Sequence, residues 1–212
     1  MNLQNYYYYF QSALTPRFCD ELIKYGTAQQ EKLALTGGQT EKINKGKPLS
    51  EGDVKDLKQK RDSNIVWLND HWIYKEIQPF IHQANRLAGW NFDWDWSESC
   101  QFTKYKLNQF YDWHSDSWET PYNTPEDKNL HGKIRKLSVT CSLSDSKDYK
   151  GGELEFDYRN MNPDKKSVRK CAEISPRGSI VVFPSHLWHR VKPVTKGTRY
   201  SLVIWNLGYP FK

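Results

Sequence analysis

The stretch Trp188-His-Arg-Val-Lys-Pro-Val-Thr-Lys-Gly-Thr-Arg-Tyr-Ser-Leu-Val-Ile-Trp205 reads as a short strand, a turn at Thr195–Thr198 and a longer closing strand. On the closing strand Arg199, Ser201, Val203 and Trp205 share one face, and Tyr200, Leu202 and Ile204 share the other. An arginine on that aromatic face either reaches solvent at a sheet edge, pairs with a core carboxylate, or offers its planar, permanently charged fork to a ligand carboxylate. Just upstream, Ser179-Ile-Val-Val-Phe-Pro184 is a short apolar run of strand character. His189 and Arg199 therefore belong to successive strands of a β-rich C-terminal half.

Outward from this stretch lies His114-Ser-Asp116. Alternate residues of a strand share a face, so His114 and Asp116 are expected to project together while Ser115 turns away. His189, from a distant strand, completes a set of two histidines and one carboxylate. Such a set leaves adjacent metal positions open and suits non-haem Fe(II) better than a closed structural zinc site. The His-x-Asp pattern alone is ordinary surface chemistry; its weight comes from His189 and Arg199 downstream. His186 competes for the third place, but its odd separation from His189 puts the two on opposite faces of an extended segment. A zinc hydrolase could use the same three residues, although it would want a nearby general base and would leave Arg199 without a role. A silent β-helix or sugar-binding module is the non-enzymatic alternative, and it would be expected to have lost a ligand.

The remaining chain supplies a scaffold. Its 212 residues suit one domain with a sizeable core. Mean hydropathy is −0.86 and 37% of residues are hydrophobic, so 9 Trp, 13 Tyr and 9 Phe must carry much of the apolar area. The formal charge of +6 and pI near 9.0 read as a solvated basic surface, since the basic residues are interspersed with acids. Cys19, Cys100, Cys141 and Cys171 are far apart, form no CxxC and read as reduced. No signal-like leader and no membrane-length apolar run is visible, so a soluble, cytoplasmic protein without membrane association is expected.

Tyr6–Ser12 reads as a first strand. Thr15-Pro16 starts a helix to Tyr25 with Gly26 as its stop. Asp70 caps a second helix whose Ile73, Ile77, Ile81, Ala84 and Ala88 form one stripe, with Gly89 as its end and Pro79 as a kink or break. Strand patterns then follow at Ser97–Leu107, Lys136–Leu143, Gly152–Tyr158 and Lys170–Ile174, separated by turn-rich loops as a jelly roll requires. The stretches 36–63 and 117–135 read as long loops, the second a substrate-facing one because it begins beside Asp116.

Taken in order, His114-Ser-Asp116, Gly151-Gly-Glu-Leu154, His189-Arg-Val191 and Thr198-Arg-Tyr-Ser-Leu202 resemble the prolyl 4-hydroxylase-like branch of the 2-oxoglutarate- and Fe(II)-dependent dioxygenases. The likeness spans roughly residues 100 to 207, and more loosely Arg61-Asp-Ser-Asn-Ile-Val-Trp67-Leu. It implies an α+β, mainly β fold: a double-stranded β-helix (jelly roll) core at about 97–207 with flanking α-helices at about 13–90, in one oxygenase domain over 1–212. It also implies His114, Asp116 and His189 as metal ligands, Arg199 and Tyr105 as 2-oxoglutarate contacts, and Trp205 as the tryptophan that closes the pocket; the stretches 36–63 and 117–135 are expected to form a groove around the metal in which Trp118, Tyr122 and Trp205 are the substrate contacts. The His-Arg-Val context selects His189 over His186. Fe(II), 2-oxoglutarate, O2 and ascorbate as reductant are the implied small molecules. The implied reaction hydroxylates a C–H bond, foremost in a prolyl residue of a protein or peptide, with release of succinate and carbon dioxide. Along Lys136–Leu143 the chain departs from relatives that place a co-substrate tyrosine there, offering only Ser138, Thr140, Cys141 and Ser142. Free amino acids or other small molecules remain alternative substrates. Demethylation of nucleic acid fits less well, since relatives of that type resemble RxxxxxR on the final strand and Trp205 stands six residues after Arg199; no nucleic-acid partner is expected. Oligomeric state is not legible.

Overall fold

In a computed structural model, which describes residues 5–44, 46–118, 120–158 and 167–211, the chain is mainly antiparallel β with a few helices. The larger sheet runs β1 (Tyr8–Phe10), β12 (Ile180–Pro184), β8 (Ile134–Ser142), β15 (Arg199–Gly208), β6 (Cys100–Tyr105), β4 (Asn64–Leu68) and β2 (Lys32–Leu33), with β5 (Trp96–Ser97) added to β15. The smaller sheet runs β11 (Val168–Lys170), β10 (Leu154–Asp157), β13 (Trp188–Val191), β7 (Phe110–His114) and β3 (Arg61–Asp62). A ribbon of β9 (Tyr149–Gly151) and β14 (Val194–Gly197) lies apart from both.

Alternation along the strands sorts the core into two layers. Leu202 and Ile204 of β15 and Ile180 and Val182 of β12 join Phe18, Leu22, Ile73, Ile77 and Ile81 of helices α1 (Pro16–Thr27) and α4 (His71–Leu87) in one buried cluster. Val181 and Phe183 of β12 instead meet Leu154 and Phe156 of β10 and Val191 of β13, so the inner faces of the two sheets share the second cluster. Each fully buried large apolar side chain stabilises the fold by roughly 1.5–3 kcal/mol before entropy is counted. β12 is buried on both faces, which explains its unbroken apolar sequence.

The helices follow their sequence signals with instructive departures. Thr15 caps α1 by accepting the Phe18 N–H at 3.1 Å, and Pro16 opens the helix. Gly26 is not its stop. It lies buried inside α1, where a Cβ would come within 2.6 Å of the Phe102 ring, so its absent side chain makes room for the sheet. Asp70 does stand at the N-cap of α4, but its carboxylate accepts the Tyr25 hydroxyl at 2.9 Å instead of a helix N–H. Pro79 neither splits nor ends α4: Pro79 and Lys75, whose carbonyl it leaves without a helical donor, are both on the exposed face. Gly89, at φ 75°, terminates the helix as expected.

The stretch 36–63 is not a structureless loop. It forms α2 (Gly37–Asn44) and α3 (Glu51–Lys60), the latter with a reciprocal Ser50–Asp53 capping box and with Leu57 fully buried as its anchor. Thr195–Gly197 belongs to strand β14, not to a turn, and Lys170–Ile174 divides between β11 and a short 3-10 turn at Ala172–Ile174. All four cysteines are buried and unpaired, and no helix among the described residues is long and apolar enough to cross a membrane.

Packing and helix propensity make opposite forecasts at Gly26. Propensity alone would have Gly26→Ala gain up to about 1 kcal/mol. The clash with Phe102 should instead cost about 1–3 kcal/mol, read as a lower midpoint in urea denaturation with an unchanged slope.

Candidate metal centre and substrate cavity

His114 closes β7, and its Cα partner across the sheet is His189 on β13. Asp116 is not on the same strand as His114, contrary to the simple alternation argument, because β7 ends at His114. A turn carries Asp116 back to the two histidines, and one carbonyl fixes it: the backbone N–H groups of Asp116 and Ser117 donate to Ser185 O at 2.9 and 3.0 Å, and Ser115 Oγ donates to the same atom at 3.2 Å. The ligand atoms of His114, Asp116 and His189 all lie within 4.8 Å of one another. His186 stands exposed in the turn before β13, so the segment holding both histidines is not extended and position in the turn, not strand parity, removes it.

The donor set is prepared for a cation. Nδ1 of His114 lies 2.7 Å from Asp112 O and Nδ1 of His189 lies 2.9 Å from Leu187 O. A carbonyl can only accept, so both Nδ1 atoms carry the proton and both Nε2 lone pairs point to the shared centre. Burial, then the neighbouring His189, pushes His114 well below the ordinary histidine range, which keeps it neutral and available as a ligand. Burial pushes Asp116 upward, but His189, His114, Arg135 and a 2.7 Å hydrogen bond from Ser138 Oγ outweigh it and hold the carboxyl below its ordinary value. Ser138 is thereby engaged with Asp116 and, at 2.9 Å, with Ser185 Oγ. Cys141, another polar residue of that strand, faces the helices.

Beside the triad opens a cavity of about 1030 Å³ whose wall includes His114, Asp116, Trp118, Tyr122 and Trp205. Arg135, which sequence reading passed over, organises that wall. Its guanidinium lies 3.9 Å from the Trp205 ring centre and 4.9 Å from that of Trp118, and it is clamped by both oxygens of Glu98, Nε to Oε1 at 2.8 Å. Tyr122 donates its hydroxyl to the same Glu98 oxygen at 2.9 Å. The signal was hidden by a register shift between Asn206 and Leu207, which breaks alternation at the start of β8 opposite Arg135. Two further residues build the floor: Tyr111 stacks on His114 with ring centres 3.5 Å apart, and Arg61 lies 4.4 Å over Tyr111. Arg61 is 4% exposed, donates to Ser63 Oγ and Leu35 O, and leaves Nη2 without a partner.

Arg199 and Tyr105 are register partners on β15 and β6, the guanidinium carbon 5.4 Å from the Tyr105 ring centre. Both are buried, and neither is among the residues lining the large cavity. Arg199 donates to Ser201 Oγ at 3.1 Å, and no carboxylate pairs with it among the described residues. Gly152, at φ 66°, leaves space for it: a Cβ there would sit 2.8 Å from Arg199 Cδ. A buried guanidinium whose hydrogen-bond partner is a neutral hydroxyl keeps donors for a carboxylate.

Comparison with known proteins agrees with this geometry. A PKHD-type hydroxylase of Synechococcus sp. (strain CC9902) is 33% identical over 111 residues, 52% of this chain and 42% of the relative. One from Idiomarina loihiensis is 31% identical over 102 residues, 48% of this chain and 38% of the relative. The chain thus matches only about two fifths of the length of these relatives. Among solved structures, the viral collagen prolyl hydroxylase of Paramecium Bursaria Chlorella virus-1, in its 2OG complex, superposes with a TM-score of 0.62 at 20% identity over 97% of both chains. A Trichoplax adhaerens prolyl hydroxylase, in complex with a hypoxia inducible factor peptide fragment, gives 0.63 at 18% identity over 96% of this chain and 84% of its own. These likenesses show the fold. Residues 100–206, half of the sequence, match the 2OG-Fe(II) oxygenase superfamily, and with His114, Asp116 and His189 gathered within that span the chain belongs to this family, whose cofactors are Fe(II) and 2-oxoglutarate.

Proposed function

We propose that this chain is a prolyl-hydroxylase-like dioxygenase that hydroxylates a prolyl residue of a protein or peptide, consuming 2-oxoglutarate and O2 and releasing succinate and carbon dioxide. The observation that carries the reading is the triad opening onto a large cavity walled by Trp118, Tyr122 and Trp205, which offers aromatic faces to a pyrrolidine ring beside the metal. The likeness to PKHD-type hydroxylases and to prolyl hydroxylase structures supports it. In this reading residues 1–212 form one oxygenase unit, with the two sheets as its double-stranded β-helix.

Each residue then has a physical task. Iron, when bound, supplies oxygen activation, and 2-oxoglutarate supplies two electrons as it is decarboxylated. His114, Asp116 and His189 hold the metal, while Asp112 O, Leu187 O and Ser138 set their orientation. Arg199 pairs with the distal carboxylate of 2-oxoglutarate and Tyr105 packs beside it. Trp118, Tyr122 and Trp205 fix the substrate ring and exclude water, with Arg135 locking their positions. A second reading, hydroxylation of a free amino acid, is favoured by Arg61, a buried cation beside the same cavity whose Nη2 lacks a partner that a substrate carboxylate would provide.

His114→Ala, Asp116→Ala and His189→Ala should each abolish Fe(II) binding, measured by metal analysis, and with it slow substrate-free succinate release; His186→Ala should retain both. Arg199→Ala should raise the 2-oxoglutarate requirement about 10- to 100-fold, equivalent to roughly 1.5–3 kcal/mol, with iron content unchanged and partial rescue in Arg199→Lys. Substrate identity is tested by succinate release stimulated by proline-rich peptides, free amino acids or methylated oligonucleotides, with mass spectrometry reading the product. Hydroxyproline in a peptide supports the reading. Formaldehyde from a methylated base alone would sink it.

A further inference from the structure

A second cavity, of about 850 Å³, adjoins the one at the metal centre and shares Trp67 and Tyr122 with it. Its wall is aromatic: Trp67 and Trp96 are 44% and 41% exposed, and Trp94 and Tyr74 stand nearby. Its charge is opposite to that of its neighbour. The metal-side cavity is lined by Lys32, Lys60, Arg61 and Arg135 against Asp112 and Asp116, whereas the second is lined by Asp95, Glu98 and Asp127 with His71 and, among the described residues, by no lysine or arginine. Of these acids Glu98 is engaged with Arg135, and Asp95 pairs with Lys133 at 2.7 Å although its side chain stays 57% exposed. Asp127 Oδ1 accepts the N–H of Asn129 in its own turn, and no cation pairs with it among the described residues. The partition is anchored on its Tyr122 side by the hydroxyl bonded to Glu98.

We propose that this second cavity is a subsite of the same groove and takes the cationic side chain, lysine or arginine, of a residue flanking the prolyl residue at the metal centre. The proposal rests on the peptide reading above. An extended chain advances about 3.3 Å per residue, so a neighbour a few positions away reaches across the partition. There an ammonium or guanidinium finds indole faces and carboxylates together, the combination that attracts cations. An anionic side chain would meet the uncompensated carboxylate of Asp127 beside the exposed edge of Asp95, and a neutral one would leave Asp127 without a cation.

The test walks a single lysine through positions on both sides of the proline in a proline-rich peptide, with alanine and glutamate controls. At one or two positions lysine should lower KM about tenfold relative to alanine, and glutamate should raise it. Trp96→Ala and Asp127→Asn, checked for folding by circular dichroism, should bring the lysine peptide's KM up to the alanine value. A second measurement needs no turnover: N-acetyl-lysine methylamide titrated into the protein should shift the Trp96 indole N–H signal, assigned with Trp96→Phe, while the N-acetyl-norleucine analogue should not. Hydroxylation of peptides with no position-dependent lysine effect, or an effect that survives both variants, overturns the subsite and leaves the prolyl reading standing. Absence of hydroxylation in every peptide overturns the prolyl reading. In that case the indole shift alone decides whether the cavity binds a cation, and no shift overturns that too.

Discussion

The backbone carbonyl of Ser185 holds the site together. Two backbone N–H groups and one hydroxyl from the segment Ser115–Ser117 converge on it, and that convergence brings a carboxylate from beyond the end of one strand against histidines on two paired strands. Locking those segments to each other before a cation arrives spares the ion's binding free energy the cost of ordering loose chain. The antiparallel pairing of β7 and β13 supplies two of the three positions, and the Ser185 contact supplies the third.

Burial raises the stakes of every polar group around that centre. Asp116, Arg135 and Arg199 all lie in a low-dielectric interior where an unpaired charge is expensive, and they are handled differently. Asp116 is stabilised by histidines and Ser138. Arg135 is clamped by Glu98 and sandwiched by two indoles, which turns a charge pair into a rigid wall and keeps the arginine fully charged. The Arg199 guanidinium meets a serine hydroxyl and an aromatic ring, with no carboxylate partner among the described residues. Arg199 thus keeps donors that a carboxylate could meet, whereas Arg135 already has its carboxylate in Glu98.

The segments around the cavity divide the labour in the same spirit. Thr36, just before α2, Thr40 within it and Lys60 at the end of α3 line one side of the metal cavity, α3 being held by its capping box and by Leu57. The loop after Asp116 supplies Trp118 and Tyr122, pinned by contacts to Arg135 and Glu98. The two histidines thus sit on paired strands and Asp116 on a turn tied to them, while much of the cavity wall comes from helices and a loop held by a few local contacts.

Much of this was legible in the chain. Alternation from Arg199 to Trp205, the apolar run at Ile180–Phe183, the Thr15-Pro16 helix start and the stripe on α4 all report local periodicity and capping, which short-range sterics dictate. The His-x-Asp, the later His189 and the arginine ten residues on could be read for the same reason: their chemistry is in the residue types. What the sequence did not disclose depends on which distant atoms meet. Gly26 reads as a helix stop until Phe102 is seen against it. Asp116 seems to share a strand with His114 until Ser185 bends the chain back. Arg135 is hidden by a shifted register, and α3 by having one buried apolar residue, Leu57, where a sequence pattern needs several. By itself the sequence determined the donor set and the β-rich frame, because those follow from residue chemistry and local repeat. Only the tertiary structure decided how the carboxylate reaches the metal centre, which arginine is satisfied and which still lacks a carboxylate, and where a second cavity opens, because each is settled by contacts between residues far apart in the chain.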